Sequence, residues 1–201
     1  MDKDEKAQRH KARMQQRKEI VDAKVAGATE DRGVVIVLTG DGKGKSSSGF
    51  GTVIRCLGHG YKVGVVQFIK GTWACGERSF LEAVPGIEFY VMGTGFTWET
   101  QDAELDRQAA EKVWEQCEHL FRDPQVRLVL LDELTYILNY KYLDKDKVTE
   151  AIRNRPPQQS VIITGRGAKK YLLDLADTVS EVKAVKHAFN SGIKAQKGVE
   201  W

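Results

Sequence analysis

Three cysteines in 201 residues are too few and too scattered for a disulfide framework. Cys56, Cys75 and Cys117 form an odd set with no C-x-x-C pair, so a structural zinc site is not indicated either, and reduced, mostly buried thiols are expected. Long apolar runs are also missing. None approaches the length of a membrane span, and the charged N-terminus has no apolar signal core, which points to a cytoplasmic protein with no membrane attachment. An excess of charge is absent too: 31 Lys and Arg against 28 Asp and Glu leave only +3. Such a balance argues against a surface devoted to nucleic acid and fits the binding of a small anion better. His10, His59, His119 and His187 show no metal-ligand spacing and are read as structural. There is no internal repeat and no low-complexity segment, and the length suits one ordinary α/β domain.

What is present is an alternation of strand and helix signals. Residues 1–32 are dense in charge of both signs, with Met14, Val21 and Val25 the larger apolar positions at helical spacing before Gly27. This segment reads as an arm outside the core: a solvated helix, a partly disordered tail, or a lid. From residue 33 onward one domain is expected. Strands are predicted at Val34–Leu38, Val63–Ile69, Ile87–Met92, Val126–Leu131, Val161–Thr164 and Thr178–Val185. Between them lie helices from about Lys45 to Leu57, Glu77 to Val84, Asp102 to Phe121, Asp144 to Ile152 and Ala168 to Ala176. The alternation predicts an α/β fold with a mainly parallel sheet flanked by helices.

The first strand runs straight into Thr39-Gly40-Asp41-Gly42-Lys43-Gly44-Lys45-Ser46-Ser47 and then a helix. A strand, a Gly-rich turn and a helix N-terminus gather backbone N–H groups and the positive end of a helix dipole at one point, which suits a polyanion. Lys45 adds a mobile positive charge, and the Ser46 hydroxyl suits Mg²⁺. The fit to G-x-x-x-x-G-K-[ST] is imperfect, because Thr39 stands where the first Gly belongs and Gly40 comes one residue late, so the loop is shortened or re-threaded. Nucleotide binding follows; what is done with the nucleotide stays open at this point.

Two further strand ends carry charge. Val129-Leu130-Leu131-Asp132-Glu133 is a buried strand closed by two carboxylates, which in a nucleotide-binding sheet hold the hydrated metal of a triphosphate. Thr164-Gly165-Arg166-Gly167 offers a forked donor for phosphate oxygens at Arg166. With Arg55, on the helix that the loop opens, Arg166 completes the candidate nucleotide-binding set, and the candidate metal ligands are Ser46, Asp132 and Glu133. Gly93-Thr94-Gly95-Phe96-Thr97-Trp98 places two large aromatics on one face of an extended Gly-rich segment, where core packing at a strand end is the plainer reading.

Taken with V-V-Q-F-I-K-G-T-W at Val65–Trp73, L-D-E-L-T-Y at Leu131–Tyr136, V-I-I-T-G-R-G at Val161–Gly167, and K-H-A-F followed by G-I-K-A-Q-K-G-V-E-W, these segments resemble one family. It is the P-loop type of ATP:corrinoid adenosyltransferase, the bacterial cobalamin adenosylation enzymes, and the resemblance runs from roughly Asp22 to Trp201. The first 20 residues match in character more than in motif. Family members carry G-N-G-K-G-K-T-T where this chain has Asp41, Ser46 and Ser47. The Ser changes keep the hydroxyl, and Asp41 adds a negative charge near the phosphates. The resemblance implies a RecA-like P-loop fold and transfer of the 5′-deoxyadenosyl group of ATP to the Co(I) centre of a reduced corrinoid, with triphosphate leaving. It also implies Lys45 as a catalytic residue, with Phe96 and Trp98 against the lower corrin face, where they exclude an axial base. Mg²⁺ or Mn²⁺, a reduced flavodoxin-like electron donor, a homodimer and an arm that closes over the corrinoid are implied in the same way. Two rival activities use the same loop. A phosphotransferase adds an arginine-rich lid, for which Arg153 and Arg155 are thin candidates, and a nucleotide-driven switch or motor would need a guanine reader or a basic stripe that the chain lacks.

Overall fold

The computed structural model describes residues 3–69, 75–93 and 102–200. The chain divides into two compact units, Met1–Asp31 and Arg32–Trp201. The first is one helix, α1 (Lys3–Gly27). Asp4 and Glu5 in its first turn and Lys24 in its last complement the helix dipole. With polar residues all round, it depends on pairs along its surface such as Lys18–Asp22 at 3.6 Å and Gln15–Glu19 at 3.0 Å. Met14, Val21 and Val25 are exposed, and Ile20 joins them.

The second unit runs β1 (Val35–Thr39), α2 (Lys45–Gly58), β2 (Lys62–Gln67), α3 (Gly76–Leu81), β3 (Ile87–Val91), α4 (Ala103–Arg122), β4 (Val126–Asp132), α5 (Leu134–Asn139), α6 (Lys145–Arg153), β5 (Ser160–Thr164), α7 (Lys170–Leu175) and β6 (Thr178–Glu181). The strands form one sheet in the order β3-β2-β4-β5-β1-β6, and every pairing is parallel. All six C-terminal ends therefore lie on one edge, where a doubly wound sheet binds its ligand.

Period-two alternation sends side chains into two apolar layers. Val35, Val37, Val129, Leu131, Val161 and Ile163 point to the face covered by α4 to α7, and Leu38, Val63, Val65, Leu128, Leu130 and Ile162 to the face covered by α2. Near-continuous apolar strands are what burial on both faces requires. On the first face Trp114 is wholly buried and meets Phe121 edge-on at 6.1 Å, its indole N–H donating to Glu118. Helix α4 lies so close that a Cβ on Gly64 would fall 2.5 Å from Leu120, which explains a glycine in the middle of β2. The side-chain amide of the buried Gln159 donates to Leu120 O and Val126 O, tying the end of α4 to the start of β4. Asp102 and Asp144 cap α4 and α6, each accepting two backbone N–H bonds.

Several elements differ from expectation: β2 ends at Gln67 and α3 at Leu81, short of Ile69 and Val84. Strand β6 stops at Glu181 and not at Val185, because Val182 leaves the ladder to meet the loop after β1. Helix α7 is shorter than Ala168–Ala176. Helix α5 was not predicted: four of its six residues are buried, and an apolar run with little polar contrast has no helical period to read. None of the three cysteines is in a disulfide, and Cys75 and Cys117 are buried. Among the described residues no helix is long and apolar enough to cross a membrane.

At the N-terminal end of the sheet, Asp177 accepts from Arg32 at 2.6 and 3.0 Å and from Val35 N at 2.8 Å. The guanidinium first, and then the amide, hold its carboxyl down at about 2. A depressed carboxylate stabilises the fold above its unfolded value near 4 and loses that contribution as pH falls to about 2. Melting temperatures of wild type and Asp177→Asn should therefore differ at pH 6 and converge toward pH 2; a gap that stays constant would show that the charge of Asp177 contributes nothing.

Candidate functional site

The loop that follows β1 stands on the C-terminal edge of the sheet. Gly40 and Gly44 have φ of 96° and 112°, in the region that only glycine enters freely. Gly44 is the N-cap of α2 and makes no side-chain cap bond, and the first helical bond is Ser48 N to Gly44 O at 2.8 Å. The N–H groups of Lys45, Ser46 and Ser47 therefore have no intrahelical acceptor and, with the dipole of a 14-residue helix behind them, make an anion site. Lys45 is 6 % exposed and donates one of its three N–H bonds to Gly42 O at 2.7 Å, so its amine folds back over the loop. Burial pushes its pKa down, and the carboxylate of Glu133 opposes that.

The two acids that close β4 part company. Asp132 is fully buried and accepts from Thr164 Oγ1 at 2.7 Å and Gln67 Nε2 at 3.0 Å, which locks the ends of β2, β4 and β5 together. Glu133 turns outward at φ 63°, an uncommon backbone for a residue with a Cβ, and its N–H donates to the same Thr164 hydroxyl at 2.9 Å. Left-handed residues of this kind gather at functional sites. The turn after β5 lies against it: a Cβ on Gly165 would fall 2.0 Å from the buried Thr135 hydroxyl and 3.1 Å from the Glu133 carboxylate, and the next residue is Arg166.

These groups surround a cavity of about 520 Å³, lined by Gly42 to Ser47, Glu133, Tyr136 and Arg166. The volume is that of a small-molecule site. Of the predicted site residues, the structure brings together Gly42, Lys43, Gly44, Lys45, Ser46, Ser47, Glu133 and Arg166. Gly40, Asp41 and the buried Asp132 do not line it. Arg55 does not reach it: ten residues along α2 correspond to about 15 Å from Lys45, and it lines a different cavity beside Cys56, Tyr61 and Arg127. Phe96 and Trp98 lie outside the described residues. Sequence reasoning missed Glu77, Tyr136, His187 and the stretch Gly198 to Glu200, which also line the cavity. Glu200 forms an ion pair with Lys43. The L-D-E-L-T-Y, K-H-A-F and G-I-K-A-Q-K-G-V-E-W segments gave a hint of this.

Ser46 and Glu133 present oxygen donors to one space, the donor chemistry that Mg²⁺ and Mn²⁺ prefer. Among the described residues no group of three or more His, Cys, Asp or Glu could hold a metal by itself, so an ion here would share its coordination with phosphate oxygens and water.

Residues 31–201 match the family model described as ATP:corrinoid adenosyltransferase BtuR/CobO/CobP, and residues 1–25 match one described as Cob(I)alamin adenosyltransferase N terminal. The chain is 54% identical to the corrinoid adenosyltransferase of Escherichia coli K12 over 96% of its length and 98% of that protein. It is 54% identical to the Pseudomonas aeruginosa protein of the same name, over 98% of both chains. A Sinorhizobium corrinoid adenosyltransferase is 45% identical over 96% of this chain and 92% of its own. In fold, the chain is similar to the flagellar accessory protein FlaH of Methanocaldococcus jannaschii, at a TM-score of 0.52 and 12% identity over 77% of this chain and 73% of that one.

Proposed function

The chain belongs to the ATP:corrinoid adenosyltransferases, and from that premise we propose that it transfers the 5′-deoxyadenosyl group of ATP to the Co(I) centre of a reduced corrinoid. The observation that carries the reading is the cavity in which the phosphate loop, Lys45 and Arg166 converge on one anion-binding space. Cobalt(I) attacks C5′, the C5′–O5′ bond breaks, and its electron pair leaves on the triphosphate while the new carbon–cobalt bond forms. A strong metal nucleophile needs no protein base, so the enzyme has two tasks: to align C5′ with cobalt and to stabilise the charge of the departing triphosphate. The free N–H groups of Lys45, Ser46 and Ser47, the Lys45 amine and the Arg166 guanidinium serve the second. Mg²⁺ or Mn²⁺ would be held by Ser46 and Glu133, with Asp132 bracing the strand end behind them, and would neutralise phosphate charge when bound.

The resemblance supports four further readings. Phe96 and Trp98 wall the lower corrin face and keep an axial base off Co(II). The N-terminal arm closes over the corrinoid. A reduced flavodoxin-like protein supplies the electron, and two chains associate in the cytoplasm.

The phosphate product tests the central reading, because each rival activity breaks a different bond of ATP. Attack at C5′ leaves all three phosphates joined. Phosphorus NMR of an anaerobic, reducing reaction should show triphosphate formed in step with light-sensitive adenosylcorrinoid and only when corrinoid is present. ADP as the stoichiometric product, or turnover without corrinoid, would refute it in favour of a phosphotransferase or a hydrolysing switch.

A further inference from the structure

The segment after β6 meets the phosphate loop twice. Val182 O accepts from Gly42 N at 2.7 Å, and a Cβ on Gly40 or Gly42 would come within 2.5 to 2.8 Å of the Val182 carbonyl. At the far end Glu200 pairs with Lys43. Between these two anchors His187 lines the same cavity as Lys45 and Arg166. Its ring is held: Nδ1 accepts from Phe189 N at 3.2 Å and so caps the short 3₁₀ turn Ala188–Ser191. An imidazole that accepts at Nδ1 carries its proton on Nε2, and among the described residues no hydrogen-bond partner takes that proton.

We propose that His187 contacts the nucleotide, donating its Nε2–H to an oxygen of the triphosphate and keeping that bond as the triphosphate departs. The inference rests on the cavity being the triphosphate site. Charge in the cavity shows why a donor outside any ion pair is useful. Lys43 is engaged with Glu200, Lys45 has given one donor to Gly42 O, and three carboxylates, Glu77, Glu133 and Glu200, share the lining with the phosphates. A donor with no counterion adds a bond to phosphate without displacing an existing ion pair. The proposal involves no covalent step and no transfer of a proton.

Two substitutions separate contact from capping. In His187→Gln the side-chain amide reaches the position of Nε2 but the cap to Phe189 is lost; in His187→Asn the amide oxygen keeps the cap but the donor falls short. Binding of inorganic triphosphate, measured by calorimetry alongside melting temperature, is the readout. His187→Ala and His187→Asn should each weaken binding by about tenfold or more, the range for a hydrogen bond to a charged group, and His187→Gln should recover much of it. Recovery by Asn and not by Gln would reduce His187 to a turn cap and overturn the proposal, as would unchanged binding in His187→Ala. Wild type that binds no triphosphate, or binding indifferent to Lys45→Ala, would instead overturn the assignment of the cavity on which the proposal rests.

Discussion

Lys45→Ala is expected to lower the rate of adenosyl transfer by about 10²–10³, the usual loss when a preorganised charge-stabilising donor is removed, while the melting temperature stays close to that of wild type. Low exposure would ordinarily mark a residue whose truncation unfolds the protein. Here the buried atoms are an amine and its stem lying over Gly42 O, outside both apolar layers of the sheet, and burial costs the charged form enough to push its pKa down. Removing such a group relieves a desolvation cost about as much as it loses a hydrogen bond. The same shift gives a sign in pH: kcat/KM for ATP, which reports the free enzyme, should decline on the alkaline side earlier than an ordinary lysine would allow, because the deprotonated amine attracts a polyanion less. Near-normal turnover of the variant at saturating ATP would show that the loop does not hold the triphosphate.

The sheet was legible because its four central strands, β2, β4, β5 and β1, are largely buried on both faces, and runs such as Val126–Leu131 between turn residues admit few other readings. The loop from Gly40 to Ser47 was legible for a local reason: its function depends on backbone N–H groups, and the glycines that free the backbone are adjacent in sequence. Long-range closure was not. Nothing near Lys43 says that Glu200, 157 residues away, will pair with it, and nothing in K-H-A-F says that His187 will face the loop. Asp132 and Glu133 show the limit of a motif. Both acids were predicted as metal ligands, yet Asp132 is locked by Gln67 and Thr164 from neighbouring strands, and only the left-handed backbone at Glu133 turns a carboxylate toward the cavity. Arg55 belonged to the right helix and the wrong end of it for contact with the loop, a question of rise per residue that a list of positive charges does not raise.

Phe96→Ala and Trp98→Ala are expected to separate the two ways of reaching the product. Strand β3 ends where Met92 N donates to Gln67 O at 2.9 Å, and Gln67 in turn holds Asp132. The family resemblance is what favours a role for Phe96 and Trp98 beside the substrate. An apolar wall below the corrin would act on the metal before alkyl transfer: by keeping water or benzimidazole off Co(II) it leaves a four-coordinate ion that accepts an electron more readily. Once Co(I) has formed, it needs no such protection, since it binds axial ligands weakly. Turnover from Co(II) with a reduced flavoprotein should therefore fall at least about tenfold more than turnover from chemically prepared Co(I), a differential of about 1.4 kcal/mol and within reach of one aromatic contact. The Co(II) spectrum of the variants with ATP should lose its four-coordinate signature in parallel. Equal losses in both assays, with the signature intact, would return Phe96 and Trp98 to ordinary packing at the end of β3.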